Sequence, residues 1–196
     1  MLERIVLASS NPGKIKEIQA IFQHCQIIPQ SEFNVPDIEE TGHTFVENAI
    51  IKARNAAHFC NLPAIADDSG IEVDALNGEP GVRSARYAGV GANDQQNLNK
   101  LLETMTPVAD HRRNARFRCV MVFMKHAADP CPVITEGAWE GKILHEPRGM
   151  NGFGYDPVFF VPSEQCTAAE LTADRKNSLS HRGQALACLL DKLSKA

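Results

Sequence analysis

The chain has 196 residues, 43% of them hydrophobic and 22% charged, with a formal net charge of −4. That length fits one domain, or one domain with an inserted lobe, and buries roughly 70% of the unfolded surface without help from disulfides or a structural metal. The ordinary composition argues against disorder, and the acidic balance argues against a general binder of nucleic acid or anionic membrane.

The first residues carry no signal-peptide layout and run straight into a strand-like stretch, Arg4–Ser9. A helix is expected from Pro12 to Phe22, with Ile15, Ile18, Ile21 and Phe22 on one face, Asn11 as N-cap and Pro12 as first helical residue. Thr44-Phe45-Val46-Glu47 has the capping-box pattern and predicts a helix to about Cys60. Pro63–Asp67 and Ile71–Leu76 read as two strands, and Asn77-Gly78 as a turn. Asn93 to Met105 reads as a helix, Ala115–Lys125 as a long strand, and Val133–Trp139 and Val158–Val161 as shorter ones. Ser180 to Ser194 closes the chain as a helix striped by Leu186, Leu189, Leu190 and Leu193. Strands mixed with helices give an α/β protein with a mixed sheet, part of it antiparallel, and one domain over residues 1–196. No apolar stretch is long enough to span a membrane.

Six cysteines (Cys25, Cys60, Cys119, Cys131, Cys166 and Cys188) show neither a C-x-x-C pair nor zinc-like spacing. They read as free thiols in a reducing cytosol. The charge is unevenly spread: eight acids lie between Asp37 and Asp74, with only Lys52 and Arg54 as bases among them.

Four constellations could carry chemistry. Ser9-Ser10-Asn11-Pro12-Gly13-Lys14 joins a strand to a helix N-terminus, where amides and lysine favour an anion, although the Walker spacing is absent. The bland alternative is a well-capped helix with solvated lysines. Asp67-Asp68-Ser69-Gly70 ends a short apolar strand. Two ionised carboxylates about 5 Å apart repel by roughly 3 kcal/mol at an effective dielectric of 20, so such a pair calls for a proton, a cation or a function. Mg²⁺ takes carboxylates together with substrate phosphates, and Glu39-Glu40 offers further oxygens. The alternative is a turn built on Gly70. Gly149 to Pro157 sets Phe153 and Tyr155 among glycines, suited to a planar ligand, with Asp156 able to accept from a base edge; a core Phe is the alternative. His181 and Arg182, preceded by Lys176, sit where a helix dipole disfavours cations, which suggests an anionic or carbonyl-rich ligand nearby. Arg112, Arg113, Arg116 and Arg118 form a local basic run that a nucleic-acid module would use.

In this order the constellations resemble the inosine triphosphate pyrophosphatase family, the nucleoside triphosphate pyrophosphatases of deaminated purines. The matching stretches are Ser9–Lys14, Glu39–Ala49, Ala66–Gly70, Ser84–Tyr87, Phe153–Pro157 and Ser180–Gly183. The resemblance implies an elongated mixed sheet flanked by helices, two lobes with a cleft between them, and a homodimer in the cytoplasm. It implies Mg²⁺-dependent hydrolysis of ITP, dITP and XTP-type nucleotides to monophosphate and pyrophosphate, keeping deaminated purines out of DNA and RNA, with no membrane or stable nucleic-acid partner. By position it gives Asp68, Asp67 and Lys52 to catalysis, and Asp68 and Glu40 to the metal, with Glu39 as the weaker candidate. It gives Ser9, Ser10, Asn11, Pro12, Gly13, Lys14, Ser69, Phe153, Gly154, Tyr155, Asp156, Lys176, His181 and Arg182 to the substrate. Two other readings compete: a pyrophosphatase for pyrimidine or modified nucleotides, and a non-catalytic nucleotide or RNA binder using the arginine run.

Overall fold

In the computed structural model, which describes residues 4–22 and 26–195, the strand-like start becomes β1 (Arg4–Leu7). Met1 to Glu3 and Cys25 lie outside the described residues. Helix α1 (Pro12–Ile21) begins as expected: the Asn11 side chain accepts from the Lys14 amide and Pro12 fills the first turn. Helix α2 (Phe45–Cys60) has the full capping box, with the Thr44 hydroxyl accepting from the Glu47 amide and the Glu47 carboxylate accepting from the Thr44 amide. α3 (Asp94–Met105) is boxed the same way by Asn93 and Gln96. The long central strand β4 (Asn114–Met124) and closing helix α5 (His181–Ser194) fall within a residue of expectation at each end.

The largest departure is β3. The two strands expected around Asp68-Ser69-Gly70 are one strand, Ala64–Val73, running straight through the acid pair. A turn would have been needed to hydrate two adjacent carboxylates. Here each finds cationic or amide partners inside the protein, so the backbone stays extended. The turn comes later, at Asn77 (φ 54°) and Gly78 (φ 89°), returning the chain so that Glu72 bridges Pro80. β5 (Val133–Ile143) extends four residues past its expected end at Trp139. β6 (Phe159–Val161) starts one residue late. β2 (Gln26–Pro29), β7 (Cys166–Thr167) and α4 (Ala173–Leu179) were not anticipated at all.

Among the described residues the strands form one mixed sheet in the order β2-β1-β3-β4-β5-β6-β7. β1 is parallel to β2 and β3, whereas β6 is antiparallel to β5 and β7. The chain divides into two compact units, Met1–Asp68 with Cys119–Gly137 and Arg182–Ala196, and Ser69–Arg118 with Ala138–His181. The divisions fall inside β3, β4, β5 and the start of α5.

In the first unit, strand alternation sorts side chains into two cores. Ile5, Leu7 and Ile65 pack with Ile18 of α1 and Leu186 and Leu189 of α5. Val6, Ala8, Ala64 and Ala66 pack with Ala49, Ala53, Ala56 and Ala57 of α2. The alanines matter: a helix faced with methyl groups lies close to the sheet, so polar side chains of α2 reach the strand. In the second unit Phe117, Trp139 and Phe159 form an aromatic core, with Phe117 and Phe159 ring centroids 4.5 Å apart.

The five described cysteines are free. Burial, with the charge of Asp67 adding to it, pushes the Cys119 thiol up to about 12, whereas Cys131 and Cys188 are exposed. Iodoacetamide at pH 8 should therefore modify Cys131 and Cys188 in the folded protein and reach Cys119 only after denaturation. Peptide mass spectrometry reads this directly, and labelling of native Cys119 at the Cys131 rate would contradict it.

Candidate active site

Asp67 and Asp68 are adjacent on β3 and so point to opposite faces. Asp67 goes with Ile65 toward α1 and α5. Its Oδ2 lies 3.0 Å from Lys14 Nζ and 3.2 Å from Arg182 Nη2. Arg182, itself buried, also holds Glu17 Oε2 at 2.5 Å. Burial works to raise the Asp67 pKa, but Lys14, Arg182 and Lys52 together overcome it and hold the carboxyl well below the usual range.

Asp68 goes with Ala66 toward α2. Its Oδ1 lies 3.2 Å from Lys52 Nζ, and its Oδ2 accepts from Asn48 Nδ2 at 3.2 Å. Here burial wins: desolvation outweighs Lys52 and Lys14, and the Asp68 pKa is raised. Lys52 is pulled down by burial and up by Asp68, then Asp67 and Glu40, with a net rise. Its ammonium also sits 3.0 Å from Glu40 Oε1. Glu40 and Asp68 thus converge on one cationic point. Glu39 is exposed, and its backbone carbonyl accepts from the Thr41 amide.

That convergence tests whether a metal fits. Among the described residues no group of three or more His, Cys, Asp or Glu could hold a metal ion. A closed protein cage is therefore absent from the described residues. The two carboxylates meet at the Lys52 ammonium, and two carboxylates are the protein share Mg²⁺ takes when water and phosphate oxygens complete its shell. Glu40 and Asp68 fit that ion.

At the α1 N-terminus, Ser9 is buried and its hydroxyl accepts from the Asn11 amide at 3.3 Å. The exposed Ser10 hydroxyl accepts from Gln30 Nε2 and donates to Asp37. Because Asn11 takes the Lys14 amide and Pro12 has none, less of the helix end is open to an anion than the spacing alone implied. Gly13 is half-buried in the first turn of α1, and Lys14 turns inward to Asp67 rather than out to water.

The second unit holds the remaining candidates. Lys176 and Asp156 are both buried, and Nζ lies 2.5 Å from Asp156 Oδ2 and 4.8 Å from the Phe153 ring centroid. The same Oδ2 accepts from the Phe153 amide at 2.9 Å. This carboxylate oxygen, expected to meet a base edge, is spent on shaping the loop and pairing Lys176. Gly152 (φ 75°) is required there, since a Cβ would fall 2.0 Å from Asp156 Oδ2. Tyr155 is buried, and its hydroxyl donates to the Ser84 carbonyl at 2.7 Å, so that group anchors the loop. His181 is buried with its ring stacked on Phe117 at 4.8 Å. Ser69 is half-buried in β3. Arg182, at the start of α5, finds its anions within the protein in Asp67 and Glu17, and lies in the first unit with them.

A model described as the Ham1 family matches residues 5–192. The chain belongs to the Ham1 family. The "dITP/XTP pyrophosphatase" of Vibrio cholerae is 58% identical over 94% of both chains, and that of Escherichia coli K12 is 55% identical over 98% of both. A solved HAM1 protein from Coxiella burnetii superposes with a TM-score of 0.92 at 55% identity, covering 99% of this chain and all of that one.

Two residues of this Ham1 chain that bear on the site escaped sequence reasoning. Glu17 is one turn past Lys14 on α1, a spacing that could have suggested a shared partner. Asn48 is buried in α2 and gives its Nδ2 to Asp68 while its Oδ1 accepts from the Gly42 amide at 2.8 Å. Its signal was visible: Asn48 and Lys52 are four apart on a face otherwise made of alanine. Three of the four arginines in the basic run, by contrast, are engaged within the protein. Arg113 is buried and donates to the carbonyls of Met105, Val108, Ile143 and Leu144. Arg116 pairs with Asp74 and Glu140, and Arg118 with Glu72.

Proposed function

We propose that this Ham1 protein is a nucleoside triphosphate pyrophosphatase that converts dITP, ITP and XTP-type nucleotides to monophosphate and pyrophosphate, with Mg²⁺, and so clears deaminated purines from the nucleotide pool. The observation that carries the reading is the meeting of Glu40 and Asp68 at the Lys52 ammonium, with Lys14 of α1 on the neighbouring Asp67, in a chain closely similar to proteins named dITP/XTP pyrophosphatase.

Asp68 accepts the proton of the attacking water. Its raised pKa makes its ionised form a stronger base than an ordinary carboxylate. The water oxygen bonds to phosphorus as the bridging anhydride bond breaks, and the pair of electrons leaves with pyrophosphate. Lys14 and Lys52 donate to the phosphate oxygens, and positioning and charge do most of the remaining work. Mg²⁺, when bound by Glu40 and Asp68, neutralises phosphate charge and makes water easier to deprotonate. Phe153 stacks on the base. Lys176 supplies donors for an oxygen at purine C6, which an adenine amine cannot satisfy, and an unpaired buried donor discriminates strongly.

The test is pyrophosphate formation from a nucleotide panel with and without Mg²⁺. The expected result is Mg²⁺-dependent release from dITP and XTP at least about a hundredfold faster than from dATP, whose C6 amine leaves the Lys176 donors unpaired. Equal rates across the panel would sink the specificity, and pyrimidine preference would favour the competing pyrophosphatase reading.

A further inference from the structure

The loop that carries Phe153 is tied down by two carboxylates, one local and one distant in sequence. Asp156 takes the Phe153 amide, and Asp94 Oδ2 takes the next amide, that of Gly154, at 2.8 Å across sixty residues of sequence. Gly152 and Gly154 both have positive φ, 75° and 62°, so the loop draws on glycine freedom that is costly to order. Asp94 is the first residue of α3 but is not its cap: Asn93 and Gln96 already exchange side-chain bonds with each other's amides. The helix beneath it is firmly seated. Leu98, Leu101 and Met105 are in the core, and Asn97 holds the Ala88 amide and the Ala85 carbonyl. An anchored helix thus presents a carboxylate to a glycine-rich loop at the residue beside the Phe153 ring.

We infer that Asp94 is a positioning residue for nucleobase recognition: it holds the Gly154 amide and so pre-orders the Phe153 ring before substrate arrives. The inference rests on the reading that Phe153 stacks on the base. Without this bond the loop must be ordered on binding, and the cost appears in affinity and not in the chemical step.

The experiment compares Asp94→Ala, Asp94→Asn and Phe153→Ala on dITP, and measures inhibition of each by inorganic tripolyphosphate, a probe without a base. Asp94→Ala should raise KM about tenfold, the loss expected for a hydrogen bond to a charged acceptor, with kcat within twofold. Asp94→Asn, whose amide oxygen still accepts from Gly154, should recover most of that loss. Tripolyphosphate inhibition should be the same in all three as in the unsubstituted protein. If Phe153→Ala raises KM and Asp94→Ala does not, the positioning role fails and the stacking reading stands. If Phe153→Ala has no effect, the stacking reading fails and takes the inference with it. A parallel weakening of tripolyphosphate in Asp94→Ala, or no recovery in Asp94→Asn, would mark general damage and overturn the role.

Discussion

Asp68→Asn should lower turnover of dITP by about three orders of magnitude and leave the melting temperature at or above that of the unsubstituted protein. The rate loss combines a proton acceptor, worth about 10² to 10⁴ in rate, with one of the two carboxylates assigned to the cation. The stability result follows from the direction of the pKa. Burial raises Asp68 above its ordinary value despite Lys52, so at neutral pH the fold carries an ionised group it disfavours. Asparagine has the same shape and no charge, and Lys52 keeps Glu40 as a partner. Active sites commonly trade stability for function in this way. Single-turnover pyrophosphate release and thermal melts at pH 7 measure both halves. More than a tenth of normal turnover would remove Asp68 from the mechanism.

What the sequence made legible was local. Asn11 and Thr44 cap helices through contacts three residues away, and the patterns at those positions were sufficient. The acid pair shows where locality ends. Asp-Asp-Ser-Gly carries turn-forming residues, but the partners that let it run on as a strand come from α1, α2 and α5, up to 115 residues distant. No window along the chain contains them. The same holds for β2 and β7, whose short runs become strands only through β1 and β6. Tyr155 shows the same dependence on a distant partner. An aromatic among glycines suggests a ligand face, but its hydroxyl is claimed by the Ser84 carbonyl, 71 residues away. The types of residue needed for phosphate, cation and base were readable; which of them face one another was decided by strand alternation and by the alanine face of α2.

That alternation gives the two acids different work, and the second large effect tests the division. Asp67→Asn should cost about 3 to 5 kcal/mol of stability, because it leaves the buried Arg182 and the half-buried Lys14 without the carboxylate they share. For a chain of this size that is a fall in Tm of roughly 6 to 20 °C. The loss should also depend on pH in a defined direction. The folded pKa of Asp67 is held below its ordinary value, first against burial and then by Lys14 and Arg182, so its contribution is complete above about pH 4 and is lost as the pH falls through the acid range. Below about pH 4 the unsubstituted protein should therefore lose stability more steeply than Asp67→Asn, by up to about 1.4 kcal/mol per pH unit, one proton's worth. Urea unfolding at pH 7, 4 and 3 measures both slopes. Parallel slopes would show that Asp67 is not the charge that fixes Lys14 and Arg182. Converging slopes, with Asp68→Asn showing no such convergence, would separate the two neighbours: one carboxylate kept ionised to hold the cations in place, the other left with a raised pKa to take a proton.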